Sequence, residues 1–368
     1  MLNAQPLPTR SGRLPAPEFW RDKRVFVTGH TGFKGGWVTL WLSALGAKVT
    51  GYALSPNTNP NFFSVLKLGR HLTQSHLADV NDHTALSDAL FKANPQIILH
   101  FAAQPLVRRS YVDPLETYQT NVLGTTNLLR AALSCKDLQA ILVVTSDKCY
   151  ENQSWHWGYR ETDTLGGYDP YSSSKACQEL VVSAFRQSYY YEKGVAVATA
   201  RAGNVIGGGD WSEDRLIPDA MRAHSENSCL TIRNPRATRP WQHVLEPLSG
   251  YLVLVERLFS DPTLAGGWNF GPSDCDVRTV EEVLGLLAQC LPGGLQWRAD
   301  TAPQPHEAEV LKLDCSKASA LLGWTPRWGL ETALTHTCDW YLSQRKATNI
   351  EEVCLSQITS FSDLQAWS

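Results

Sequence analysis

The chain has no long apolar run. Nothing in it approaches the roughly 20 apolar residues that a membrane-crossing helix needs. Its proline-rich start has no apolar core of the secretory type. Charge imbalance is also small. The 33 Lys and Arg nearly balance 36 Asp and Glu, for a net charge of −3, which argues against nucleic acid or an anionic membrane as the main partner. Nine cysteines include no C-x-x-C pair, so neither a zinc site nor a disulfide framework is indicated, and no metal is expected. No internal repeat is present. What remains is a chain expected in the cytoplasm, with 368 residues and 43% hydrophobic content. That is enough for two domains, or for one large α/β domain with an appended lobe.

What is present begins after a loose, proline-rich arm over residues 1–18. Arg24–Thr28 predicts a short strand, and Gly29-His-Thr-Gly32-Phe-Lys-Gly35 follows at once. Trp37–Leu45 has helical apolar spacing and stops at Gly46, and Ala47–Leu54 predicts a second strand. Strand, glycine turn, helix and strand make the opening of a dinucleotide-binding unit, where backbone N–H groups and a helix N-terminus favour a diphosphate. The alternation continues with a helix over Leu86–Lys92, a strand over Gln96–Phe101, a long helix over about Leu115–Leu133 and a strand over Ala140–Ser146. A helix over Tyr171–Tyr191 and a strand over Ala196–Ala202 follow. Such repeated β-α units predict a doubly wound parallel sheet of Rossmann type, covered by helices.

From Gly203 the texture changes to a glycine loop, a helix over Arg215–His224 and a basic run, Arg233-Asn-Pro-Arg236-Ala-Thr-Arg239-Pro-Trp-Gln-His243. Helices are expected over Pro247–Leu258, Val280–Cys290, Ser316–Leu322 and Leu330–Ser343. The expected organisation is a dinucleotide-binding domain over 19–202 and a mainly substrate-binding lobe over 203–345, some of whose segments return to the sheet. Residues 346–368 form a tail or an added helix.

Chemistry concentrates between residues 144 and 175. The apolar strand ends in Ser146-Asp147-Lys148, and Tyr171-Ser-Ser-Ser-Lys175 opens the helix after Asp169-Pro170. Spacing of i and i+4 puts the phenol and the ammonium on one helix face. A cation about 5 Å away at an effective dielectric of about 20 favours phenolate by about 3 kcal/mol, roughly a hundredfold. A second positive charge, such as an oxidised nicotinamide, completes the activation. The alternative is two residues on a solvated helix.

Taken in order, Thr28-Gly29-x-x-Gly32-x-x-Gly35, His100-Phe-Ala-Ala103, Asn121-x-x-Gly124-Thr125, Ser146 and Tyr171-x3-Lys175 resemble the extended short-chain dehydrogenase/reductase family. The likeness runs from about Phe19 to about Trp340. It implies Tyr171 as the base on a sugar hydroxyl, with Ser146 bonded to the same hydroxyl and Lys175 on the nicotinamide ribose. It implies cofactor contacts from Gly29, Thr31, Gly32, Phe33, Lys34 and Gly35. Asp79 and Val80, near the adenine, Phe101, Ala102, Ala103 and Asn121 complete that set. Substrate contacts are implied for Gln104, Asn204, Arg215, Arg233 and Arg239. Arg239 is the first choice for the nucleotide diphosphate, because a guanidinium matches phosphate by its planar fork; Arg233 and Arg236 are weaker candidates.

Within that family, Asp147-Lys148 is the informative pair. Sugar epimerases carry no acid–base pair here, and the dTDP-glucose and GDP-mannose 4,6-dehydratases carry an acid followed by glutamate. Lysine in the second place resembles the CDP-glucose 4,6-dehydratases, as do TSDKCYEN, LGGYDPYSSSK and RPWQHV. The resemblance implies CDP-glucose as substrate, deoxysugar and lipopolysaccharide biosynthesis as the setting, and a homodimer through the helices around 115–133 and 171–191. The reaction would be oxidation at sugar carbon 4, elimination across carbons 5 and 6, and reduction at carbon 6. A neutral Lys148 would take the carbon-5 proton and a protonated Asp147 would serve the departing hydroxyl; an Asp147–Lys148 ion pair would oppose this. NAD rests on resemblance alone, since Val49–Leu54 runs into Ser55-Pro-Asn-Thr-Asn59 with neither an acid nor an arginine. A nucleotide-sugar 4-epimerase, a dehydratase for another nucleotide-sugar and a non-catalytic dinucleotide sensor stay as alternatives.

Overall fold

The computed structural model describes residues 12–300 and 311–362. The first eleven residues of the expected arm and the last six of the expected tail lie outside the described residues. The strands are β1 (Arg24–Thr28), β2 (Lys48–Ala53), β3 (Gln74–Leu77), β4 (Ile97–His100), β5 (Ala140–Val144) and β6 (Ala196–Ala202). After them come β7 (Asn204–Ile206), β8 (Leu230–Ile232), β9 (Thr238–His243), β10 (Gly267–Phe270), β11 (Val277–Thr279) and β12 (Trp297–Ala299).

Seven of these form a parallel sheet in the order β10-β6-β5-β4-β1-β2-β3. Its central strands are apolar almost throughout because helices cover both faces. Alternate side chains then serve opposite cores. Val25, Val27, Leu99 and Leu142 join the larger core, which extends into the later part of the chain. Phe26, Ile98, Ile141 and Val143 join the smaller one, beneath the helices His83–Ala93, Gly124–Ala132 and Pro170–Phe185. The chain reverses its winding between β1 and β4, and the strand ends beside such a switch point form the crevice of open α/β sheets. The fold is therefore a Rossmann-type α/β fold.

Local signals explain most helix limits. Asp82 accepts the Ala85 N–H as an N-cap, and Asp169 accepts that of Ser172, with Pro170 in the first turn. Thr279 and Glu282 form a capping box. The long helix expected over 115–133 is interrupted by a wider π-turn at Gln119–Leu123, and the Tyr171 helix ends in another at Arg186–Tyr190.

The later segments pair beyond what their sequence signals. Thr238–His243, part of the basic run for which no strand was expected, is β9, the middle strand of a three-stranded sheet between β7 and β11. β10 returns to the main sheet beside β6. Ile350–Ser362 is a helix. Phe361 packs edge-on against Trp41 of the first cofactor-side helix, with ring centroids 5.8 Å apart. Glu351 is ion-paired with Arg70 and lies 3.0 Å from His71 Nε2.

Candidate active site

The glycine turn is shaped by close approach. Gly29 has φ +76°, and a Cβ there would lie 2.8 Å from the Ala102 nitrogen; one on Gly35 would lie 2.0 Å from the Gly29 oxygen. Gly32 is different. It is the exposed N-cap of the Phe33–Ala44 helix, no side chain caps it, and a Cβ would meet only the Gly29 oxygen, at 3.4 Å. The first-turn N–H groups therefore have no side-chain acceptor, an arrangement that fits a dinucleotide diphosphate. The Thr31 hydroxyl donates to the Leu54 carbonyl and ties this turn to the end of β2. Phe33 is half-buried over Gly207.

On the neighbouring strand ends, the N–H groups of Phe101 and Ala102 donate to the Thr28 hydroxyl, each at 3.1 Å. Exposed Asp79 accepts from Asn81, and buried Val80 packs beneath Gly124. Ala103 is half-buried just beyond β4. Asn121 and Gln104 are buried, and their amides serve the fold. Asn121 bonds both backbone groups of Gln104 and the Ser174 hydroxyl. Gln104 bonds Leu106 and Thr117.

Beyond β5, Ser146–Cys149 turns tightly. The Ser146 hydroxyl donates to Asp147 Oδ1 at 2.9 Å. Oδ2 of the same buried carboxyl has no hydrogen-bond partner and stands 3.1 Å from where a Cβ on Gly203 would be. Burial raises the Asp147 carboxyl above the usual range, while Lys148, Ser146, Arg239 and Lys34 pull it back. Half-buried Lys148 forms no ion pair with Asp147.

Tyr171 and Lys175 share one buried helix face, as their spacing predicted. The electrostatics differ from expectation. Burial pushes the phenol up to about 12, against a hydrogen bond with Ser146 and the field of Arg215. Burial and nearby Lys34 push the Lys175 ammonium down to about 7. Its Nζ is turned to the Val144 carbonyl at 3.3 Å and to Gln178 Oε1 at 2.9 Å. Lys175 is not among the main influences on the phenol here, the lysine being itself desolvated and directed to other acceptors.

Arg215 donates to buried Asp210 at 2.8 Å. Arg239 is buried on β9, bonds the Thr238 carbonyl and lowers the Asp147 carboxyl by its field. Asn204 is half-buried at the start of β7. Arg233 pairs with Asp214, which also pairs with Arg108, whereas Arg236 is exposed.

Two features of the site escaped the sequence reading. Lys34, expected only as part of the cofactor turn, brings its ammonium into the fields of Asp147, Asp210 and Arg215, and burial lowers it to about 8. Glu179 lies four residues after Lys175 and is buried with Arg201 at 2.8 Å. It also accepts the hydroxyls of Thr145 at 2.5 Å and Thr199 at 2.6 Å. The helical spacing from Lys175 was the available signal for Glu179.

Ser146 and Asp147 thus stand beside the Tyr171 phenol. Residues 26–337 match the family model described as GDP-mannose 4,6 dehydratase. The chain is 51% identical over 329 residues to the CDP-glucose 4,6-dehydratase of Salmonella typhimurium, covering 88% of this chain and 91% of that protein. Among solved structures, a dTDP-glucose 4,6-dehydratase double mutant from Streptomyces venezuelae, with NAD and DAU bound, has a TM-score of 0.75 at 22% identity. That match covers 89% of this chain and 99% of that one. A UDP-glucuronic acid 4-epimerase from Bacillus cereus, in complex with UDP-glucuronic acid and NAD, has a TM-score of 0.76 at 20% identity, over 87% and 99%. These two likenesses concern the fold; the family match and the Salmonella relative carry the rest. The chain belongs to the GDP-mannose 4,6 dehydratase family, within the extended short-chain dehydrogenase/reductases.

Proposed function

We propose that the protein is an NAD-dependent CDP-glucose 4,6-dehydratase, a lyase that forms CDP-4-keto-6-deoxyglucose. The observation that carries this reading is the Ser146-Asp147-Lys148 turn beside Tyr171 and Lys175, with a buried carboxyl oxygen that nothing in the fold uses. The identity with the Salmonella enzyme supports CDP-glucose over other sugar nucleotides. Bound NAD supplies the oxidation at carbon 4 and the reduction at carbon 6. The first helix turn after Gly32 would hold its diphosphate, and Lys175 its nicotinamide ribose.

In this scheme Tyr171, ionised when the positive charge of an oxidised nicotinamide would stand beside it, takes the proton of the 4-hydroxyl, which Ser146 orients. Lys148 takes the proton at carbon 5, which the new ketone acidifies. Asp147, kept protonated more readily by its burial, gives its proton to the departing 6-hydroxyl. Arg239 and Arg215 meet the substrate diphosphate, with Arg233, Asn204 and Gln104 as the further candidate contacts to the substrate. Residues 19–202 form the cofactor domain and 203–345 mainly the substrate lobe, with β10 returned to the sheet. A homodimer would cover the exposed Leu115, Leu123, Leu180 and Tyr191 along the helices around 115–133 and 171–191. No described helix is long and apolar enough to cross a membrane; the cytoplasm is the proposed location.

The test is incubation with CDP-glucose and NAD, followed by the mass of the sugar product. Loss of one water supports the reading. An isomer of unchanged mass would point to the 4-epimerase, which has no use for Asp147 and Lys148.

A further inference from the structure

Behind Lys175 runs a buried line of side chains that the proposed reaction does not use. Lys175 Nζ donates to Gln178 Oε1 at 2.9 Å, and Gln178 Nε2 donates to the Thr125 hydroxyl oxygen at 2.7 Å. Thr125 lies 3.0 Å from His100 Nε2, and His100 Nδ1 lies 2.7 Å from the Thr28 hydroxyl. Gln178, Thr125, His100 and Thr28 are all fully buried.

Counting protons fixes the direction of the line. Thr125 spends its own hydrogen on the Asn121 carbonyl, at 2.7 Å. Its oxygen must therefore accept from both Gln178 and His100, so His100 carries its proton on Nε2. Nδ1 is then an acceptor, and Thr28 donates to it while accepting the N–H groups of Phe101 and Ala102. A second proton on His100 would break that bond, and burial together with Lys175 holds this imidazole down to about 3. With Thr125 unable to donate, the Gln178 amide has only one orientation, and its carbonyl faces the ammonium.

We propose that Gln178 is the positioning residue for Lys175, keyed through Thr125 and His100 to Thr28 at the edge of the glycine turn. Its role is to hold the ammonium at one place and register it against the cofactor turn. The inference rests on Lys175 serving the nicotinamide ribose and the Tyr171 phenol. The charged and titratable groups around that ammonium are Lys34 beyond the glycine turn, Cys149 after β5, Glu179 on its own helix and His100 on β4.

Two variants of the full chain test it, with thermal unfolding as the check on folding. Gln178→Leu removes both bonds at similar size. It should weaken NAD binding and lower turnover, each by about tenfold, the loss of a charge-assisted hydrogen bond, with the KM for CDP-glucose unchanged within twofold. Gln178→Glu sets a carboxylate against the ammonium and raises the pKa of Lys175. Activity that needs the ammonium falls as pH rises through that value, so the descending alkaline limb should move upward by about one pH unit or more. If the leucine variant fails to fold, the limb of Gln178→Glu decides. Folded variants with unchanged NAD affinity, or an unmoved limb, would overturn the proposal. NAD affinity is read without sugar nucleotide, so it judges Gln178 even if the wild type leaves CDP-glucose untouched.

Discussion

In the proposed reaction Tyr171 and Lys148 carry different steps, and single substitutions separate them. Tyr171→Phe keeps the ring and loses the proton acceptor, so turnover should fall by at least about a hundredfold, with NAD affinity close to wild type by equilibrium titration. Near-normal turnover would remove the phenol from the reaction. Lys148→Met should abolish exchange of the carbon-5 proton with deuterated solvent while oxidation at carbon 4 persists. Wild-type incorporation of deuterium at carbon 5, followed by mass spectrometry, would sink the role of Lys148. At this scale the sequence revealed which residues meet, because i and i+4 spacing and a strand end are local geometry. It did not reveal their charge states. Those depend on burial and on the charges of groups distant in sequence, such as Arg239 on β9 and Lys34 in the glycine turn.

The Tyr171 helix is fixed to β5 and β6 by an ion pair that has no access to solvent. Glu179 and Arg201 are each 4% exposed in their side chains, and Arg201 also bonds the Tyr150 hydroxyl at 2.6 Å. Despite burial, the contacts from Arg201 and the two threonines hold the Glu179 carboxyl below its ordinary 4.5. Glu179→Gln leaves a buried guanidinium uncompensated and should cost about 3–5 kcal/mol in urea unfolding at neutral pH. The sign with pH follows from the lowered value. The carboxylate stabilises the fold above the unfolded pKa, and that contribution is lost as pH falls through the folded one. The variant should therefore lose less stability than wild type on acidification, and parallel acid profiles would contradict this account. Among elements, β1, β6 and the helices Val280–Cys290 and Ser316–Leu322 match their predicted limits, because apolar runs and caps mark them locally. β10 could not be read that way. Gly267–Phe270 has only four residues and becomes a strand through pairing with β6.

Across the whole molecule, two buried glutamates join distant segments. Glu256 accepts the Ala16 N–H and the Trp20 indole N–H, both at 2.7 Å, and Glu246 accepts the N–H groups of Arg327 and Trp328. Burial raises Glu256 to about 7 and Glu246 to about 8, from 4.5. As pH rises past 4.5 the unfolded chain releases these protons first. Stability should therefore decline from there through the folded values. Glu256→Gln keeps an acceptor for both donors and removes one of the two titrations. Its urea midpoint should vary less than wild type between pH 4.5 and about 7, and an equal slope would show that Glu256 does not titrate there.

The helix Ile350–Ser362 sets a condition on synthesis. Phe361 rests on Trp41, so a helix beside the glycine turn receives part of its cover from a segment made long after it. On the ribosome, the first half of the sheet emerges first, β10 follows, and that cover comes after both. Until the helix is made, an apolar face of the nascent chain stays open to water and to other chains. Completion of the nucleotide-binding half is therefore tied to synthesis of Ile350–Ser362, and a chain halted before that helix would leave the ribosome with the face uncovered.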